Sequence, residues 1–104
     1  MVEILANPKK YDGKVVEIEG FLSLEHEGQA IYLNEDDYEF FNRKNGIYVI
    51  ADISPEVKKE CNLKHVRIIG KFQLELHTAK TDWNGWLITN HIFRKLSRDE
   101  MKNE

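Results

Sequence analysis

The chain has 104 residues, a length that fits one domain, and its 41 % hydrophobic and 11 % aromatic content is enough to close one core and too rich for a disordered chain. Fifteen Lys and Arg stand against 18 Asp and Glu, a formal net charge of −3 that argues against the clustered basic face of a generic nucleic-acid binder. A single cysteine, Cys61, excludes an internal disulfide and, with no Cys-x-x-Cys present, points to a reducing compartment.

No apolar run approaches the ~18 residues that a membrane helix requires. The start, Met1-Val2-Glu3-Ile4-Leu5-Ala6-Asn7-Pro8, carries neither a basic leader nor a long apolar stretch. The expectation is a cytoplasmic chain with no membrane partner. Val2 to Ala6 reads as a helical turn stopped by Asn7-Pro8, because the residue before a proline is driven out of the helical region.

An internal repeat follows. Lys14-Val15-Val16-Glu17-Ile18-Glu19-Gly20-Phe21-Leu22-Ser23-Leu24 and Lys64-His65-Val66-Arg67-Ile68-Ile69-Gly70-Lys71-Phe72-Gln73-Leu74 share the pattern Lys-x-Val-x-Ile-x-Gly-x-(Leu/Phe)-x-Leu, fifty positions apart. Alternation over eleven residues marks a long half-buried strand, with Val16, Ile18, Leu22 and Leu24 on one side and Glu17, Glu19 and Ser23 on the other. A glycine inside a strand is costly unless the backbone bends or bulges there. Two long strands bent at a glycine are what a small closed barrel requires.

Between the repeats, Gln29 to Asn34 forms a second strand, in a hairpin with the first across Glu25-His26-Glu27-Gly28. The connection Glu35 to Asn45 holds a helical turn, and Gly46-Ile47-Tyr48-Val49-Ile50-Ala51-Asp52, β-branched and aromatic, is the third strand. Ser54 to Leu63 is a short helix: Ser54 is the cap, Pro55 suits the first helical position, and Val57 and Cys61 supply the buried stripe. The last strand runs from Trp86 to Leu96 after a turn at Asn84-Gly85. Its apolar period shifts near Asn90, where a bulge is expected, with Leu87 and Phe93 on one side and Ile88 and Ile92 on the other. Ser97 to Glu104 is a polar tail that frays, which leaves residues 1–96 as the domain.

Five strands with one short helix between the third and fourth define a mostly β, OB-fold-like Greek-key barrel. Ala6-Asn7-Pro8-Lys9-Lys10-Tyr11-Asp12-Gly13-Lys14-Val15-Val16-Glu17-Ile18-Glu19-Gly20 resembles the opening of free-standing bacterial tRNA-anticodon-binding-like OB-fold proteins, which read Asn-Pro-x-x-Tyr-x-Gly-Lys-x-Val-x-x-x-Gly. The similarity extends over most of residues 3 to 96. Its motif consists of a turn, a barrel strand and a bulge glycine, so the resemblance implies a fold and assigns no activity.

Catalysis is not expected. Cys61 falls on the helix stripe as a small buried thiol. His26, His65, His77 and His91 show no His-x-x-x-His or His-Glu-x-x-His spacing, and only His77, Asp82 and His91 are placed to meet near the last hairpin. Gly13-Lys14 lacks the remainder of a phosphate loop, so neither cofactor nor metal is expected.

Binding has more to rest on. In an OB barrel, ligands meet strands two and three and the loops joining strands one–two and four–five. If Ile31, Leu33, Ile47 and Val49 face the core, Tyr32 and Tyr48 face outward, and Trp83 and Trp86 flank the last turn with at least one of them exposed. With Arg43, Lys44, Lys71 and Lys80 these rings form a platform for single-stranded DNA or RNA. Alternatively, Trp86 caps the barrel end and the tyrosines merely cover its flank. The carboxylates of Glu25 and Glu27 and of Glu35-Asp36-Asp37-Tyr38-Glu39 oppose a phosphate track beside them. They suit a cationic protein, to which Glu35, Asp36, Asp37 and Glu39 present phosphate-like charge while Tyr38, Tyr48 and Trp83 anchor. A solvated acidic loop is the plainer alternative. The reading adopted is a non-catalytic module that binds a protein, in its most specific form an inhibitor or immunity protein of a basic nuclease toxin. Single-stranded nucleic acid is the alternative ligand.

Overall fold

A computed structural model describes residues 1–25, 29–74, 84–89 and 93–99. The elements in chain order are α1 (Val2–Ala6), α2 (Pro8–Tyr11), β1 (Val15–Ser23), β2 (Ala30–Tyr32), α3 (Glu35–Glu39), a 3-10 turn (Arg43–Asn45), β3 (Gly46–Ile50), α4 (Pro55–Cys61), β4 (Lys64–Gln73), β5 (Trp86–Ile88) and β6 (Phe93–Lys95).

The two repeats become β1 and β4 and pair antiparallel with each other, from Val15 opposite Lys71 to Leu22 opposite Lys64. Ile18 faces Ile68, and the shared Val-x-Ile-x-Gly pattern sets Gly20 against Val66 and Gly70 against Val16. The repeat thus folds as a local two-fold about the Ile18–Ile68 pair. Each glycine marks the place where a further strand crowds in. A Cβ on Gly20 would lie 2.4 Å from the Tyr32 carbonyl oxygen, and one on Gly70 would lie 2.6 Å from that of Ile88. No side chain fits at either distance, which is the physical reason for both glycines.

At Phe21 and Leu22 β1 serves two neighbours, β4 on one edge and β2 on the other, and the β2 pairing runs from Phe21 opposite Tyr32 to Ser23 opposite Ala30. β2 continues to β3 antiparallel, β3 pairs with β5 in parallel, and β5 returns to β4 antiparallel. The ring β1-β2-β3-β5-β4 closes on β1, a five-stranded barrel with the Greek-key order expected of an OB-like fold. The expected last strand is in two pieces: β5 pairs with the end of β4 and β6 with Val66–Ile68, on the same edge. Residues 90–92, where the bulge near Asn90 is expected and where Ile92 falls, lie outside the described residues. Leu87 lies in the core and Phe93 packs against it, on the shared side their pattern implied.

Alternation fills the interior with Ile18, Leu22, Ile31, Ile47, Val49, Val66, Ile68, Phe72 and Leu87, each fully buried. α1 adds Ile4 to the same cluster and α4 adds Cys61, with Val57 partly buried beside it. The Ser54 hydroxyl accepts from the Val57 amide at 3.2 Å, the cap that the sequence implied. Asn62, which follows α4, accepts from the Leu24 amide at 2.7 Å and pins this helix to the end of β1. Asn7-Pro8 does end α1, but it also begins α2, which the sequence reading did not include; proline is tolerated there because the first helical amides have no partner to lose. Among the described residues, no helix is long and apolar enough to cross a membrane.

Candidate functional site

The segment between β2 and β3 carries the acidic run, and a short helix organises it. The Asn34 side chain accepts from the Asp37 amide at 2.9 Å and caps α3. Glu35, Asp36 and Glu39 point into solvent, whereas Asp37 does not. Its Oδ1 accepts from the Asn42 side-chain amide at 3.0 Å and from that of Asn45 at 3.2 Å, and its carbonyl accepts from the Asn42 backbone amide at 2.8 Å. Its other carboxylate oxygen is buried without a partner. Asp37 therefore holds the α3-to-turn connection together and does not display charge to a ligand.

Tyr38 lies on the opposite face of α3, half-buried. Its ring sits 5.4 Å from Phe21 and 5.7 Å from Tyr32, and Phe21 meets His65 edge-on at 5.5 Å. Tyr32 does face away from the barrel interior, as alternation required, but α3 covers it and leaves it 4 % exposed. Burial raises the Tyr32 hydroxyl pKa above its ordinary value, the charge of Arg43 pulls it back in part, and Tyr38 adds to the rise. The expected exposure of Tyr32 is thus corrected: the outer face of β1, β2 and β4 has a small aromatic core of its own beneath α3.

Tyr48 and Trp86 stand in register on the parallel β3–β5 pair. Tyr48 is half-buried and Trp86 only 6 % exposed, so Trp86 lines the barrel flank and does not stand in solvent. Trp83, Lys80, His77, Asp82, His26, Glu27 and His91 lie outside the described residues. Among the described residues, no group of three potential metal ligands is present. Lys71 is exposed on β4, between Val15 on β1 and Ile88 on β5. The Asn84 side-chain amide donates to the carbonyls of Arg43 and Gly46, each at 3.2 Å, and to that of Lys44, tying the approach to β5 onto the 3-10 turn. Gly85 follows with φ +155°, where a Cβ would strike the Phe72 ring at 2.7 Å. Cys61 is buried, which pushes its thiol pKa up, with Glu60 adding to the shift and Lys95 opposing it.

Two features went unread in the sequence. Phe40 and Phe41, directly after α3, are 79 % and 64 % exposed. The signal was there: two adjacent large rings in a short connection share no strand or helix face, so no periodicity buries both. The second feature is a cleft of about 600 Å³ on the outer side of β1, with Glu3, Glu17, Glu19 and His65 among its lining residues. Asn34, the cap of α3, also lines it, so the start of α3 borders the cleft. Arg67 lies on β4 opposite Glu19, bonds to it, and reaches Glu17 at 3.4 Å, which offsets part of this charge.

No known family matches the chain, and no curated protein matches it.

Proposed function

We propose that this protein is a non-catalytic, cytoplasmic OB-fold module of the tRNA-anticodon-binding-like kind that binds a cationic protein partner through the acidic surface running from the β1 cleft to α3. One observation carries the reading: the carboxylates are displayed while two of the rings expected to stack on bases, Tyr32 and Trp86, are covered. Glu35, Asp36 and Glu39 are exposed, and Tyr32 and Trp86 are buried to within a few per cent. A base cannot stack on a ring that has no free face, and fixed carboxylates beside it repel the phosphates. A lysine- or arginine-rich surface meets the opposite situation. It is steered toward Glu35 and Asp36 and can seat side chains beside Glu3 and Glu17. In its most specific form, the partner is a basic nuclease toxin whose phosphate-binding site this surface occupies.

The test begins with co-purification from the native source and identification of the partner by mass spectrometry, followed by stopped-flow association of the two purified proteins. Glu35→Lys with Asp36→Lys is expected to slow association at low salt by about tenfold or more, and the difference narrows as salt is raised. Equal association rates for wild type and variant overturn the electrostatic reading. An oligonucleotide that binds with a steep salt dependence, in place of any protein, overturns the choice of ligand.

A further inference from the structure

We propose that the tip formed by Glu39, Phe40, Phe41 and Lys44 is a homodimer surface, on which the phenylalanine pair of one copy packs against that of a second copy across a two-fold axis. This goes beyond the acidic-surface reading and uses the other end of α3.

Phe40 and Phe41 are the most exposed large aromatic side chains among the described residues. Burying an exposed phenylalanine is favourable, so leaving two in water side by side forgoes a sizeable gain. They are not there by looseness of the backbone. Phe41 sits at φ +51°, a conformation rarely adopted by a bulky residue, and its neighbours fix it: the Phe41 amide donates to the Tyr38 carbonyl at 3.1 Å and the Arg43 amide to the Phe41 carbonyl at 2.9 Å. The Asp37 carboxylate clamps Asn42 and Asn45, which follow Phe41 in the chain. A pair of rings pre-set in this way loses little conformational freedom when it docks.

The charges around the pair choose the occupant. Glu39 precedes it and exposed Arg43 and Lys44 follow within three residues, so both signs flank one small apolar centre. A wholly cationic partner would meet Lys44 and a wholly anionic one would meet Glu39. A second copy turned by two-fold symmetry sets Glu39 of each chain toward Lys44 of the other, which satisfies both at once. Four rings and this short rim make a contact at the small end of specific interfaces, below about 1,200 Å², so the expected association is weak, with a Kd in the micromolar range.

Sedimentation equilibrium of the full chain over roughly 5–500 µM is expected to show a reversible monomer–dimer equilibrium centred in the micromolar range. Phe40→Ser with Phe41→Asn is expected to weaken it at least about tenfold while the thermal midpoint holds, since both side chains are exposed and asparagine tolerates the positive φ. Glu39→Lys and Lys44→Glu are each expected to weaken the dimer, and the two together to restore it. A chain that stays monomeric throughout overturns the proposal. So does a dimer indifferent to the phenylalanine variant, or a double charge swap that fails to recover. Glu39 also belongs to the acidic surface, so the phenylalanine variant, which leaves every carboxylate of that surface in place, is the one that reads dimerisation separately from partner association.

Discussion

The barrel wall at Gly20 and the connection around Asp37 show two ways of fixing a backbone. At Gly20 the wall is held by exclusion: the carbonyl of Tyr32 comes so close that no atom fits where a side chain would begin. At Asp37 the connection is held by attraction, with one carboxylate gathering two side-chain amides and shaping a turn that no strand or long helix supports. The first region leaves a mark in the sequence, because close approach demands glycine inside an otherwise regular alternation. The second leaves almost none, because aspartate and asparagine are common in any solvent-facing connection.

The contrast is sharpest under substitution. Gly20→Ala is expected to have the largest effect on stability. The new methyl meets backbone of β2 on one side and Ile31 on the other, and backbone cannot rotate out of the way. Overpacking of this kind costs about 3 kcal/mol or more, which lowers the thermal midpoint of a chain this size by more than roughly 12 °C. A calorimetric midpoint within 2–3 °C of wild type, about 0.5 kcal/mol or less, would mean that β1 and β2 are not pressed together there.

Asp37→Ala is the next largest. It leaves the Asn42 and Asn45 side chains without their shared acceptor, at an expected cost of about 1–2 kcal/mol. The loss is local. Hydrogen exchange of the Phe41, Asn42 and Asn45 amides is expected to quicken by roughly tenfold, while Ile18 and Ile68 in the barrel change little. Asp37→Asn, which keeps one acceptor oxygen, is expected to recover part of the protection. Uniform loss of protection across the barrel would show that the connection is part of the core's cooperative unit.

The same contrast explains what the sequence disclosed. The repeat at Lys14 and Lys64, its alternation and its central glycines led to two long neighbouring strands of a closed barrel, because strand periodicity and close packing are written residue by residue. The Ser54-Pro55 helix start was equally legible, since a cap is a local hydrogen bond. The burial of Tyr32 was not. Alternation correctly turned its side chain away from the interior, but a five-residue helix has too few positions to show an apolar face, so nothing announced that Tyr38 would cover it. In the sequence Asp37 looks like one more displayed carboxylate, because its role depends on Asn42 and Asn45 folding back, a matter of turn geometry and not of composition. The exposure of Phe40 and Phe41 is hidden for the opposite reason: large aromatic rings are more often buried than displayed.

The smallest expected effect tests how well α3 seals the outer face, through the ionisation of Tyr32. Burial disfavours the tyrosinate, so the folded protein keeps this proton at pH values where the unfolded chain, with an ordinary pKa of about 10, has released it. The associated stability is fully present below about pH 10 and is lost as pH rises through the higher folded-state value. Denaturant midpoints measured between about pH 9 and pH 11 are therefore expected to fall less steeply for Tyr32→Phe than for wild type. Lysine ionisation is common to both chains and cancels in the comparison. Identical slopes would mean that Tyr32 ionises as readily in the fold as out of it, and α3 would then be a loose cover over the outer aromatic cluster instead of the rigid base that holds Phe40 and Phe41 in place.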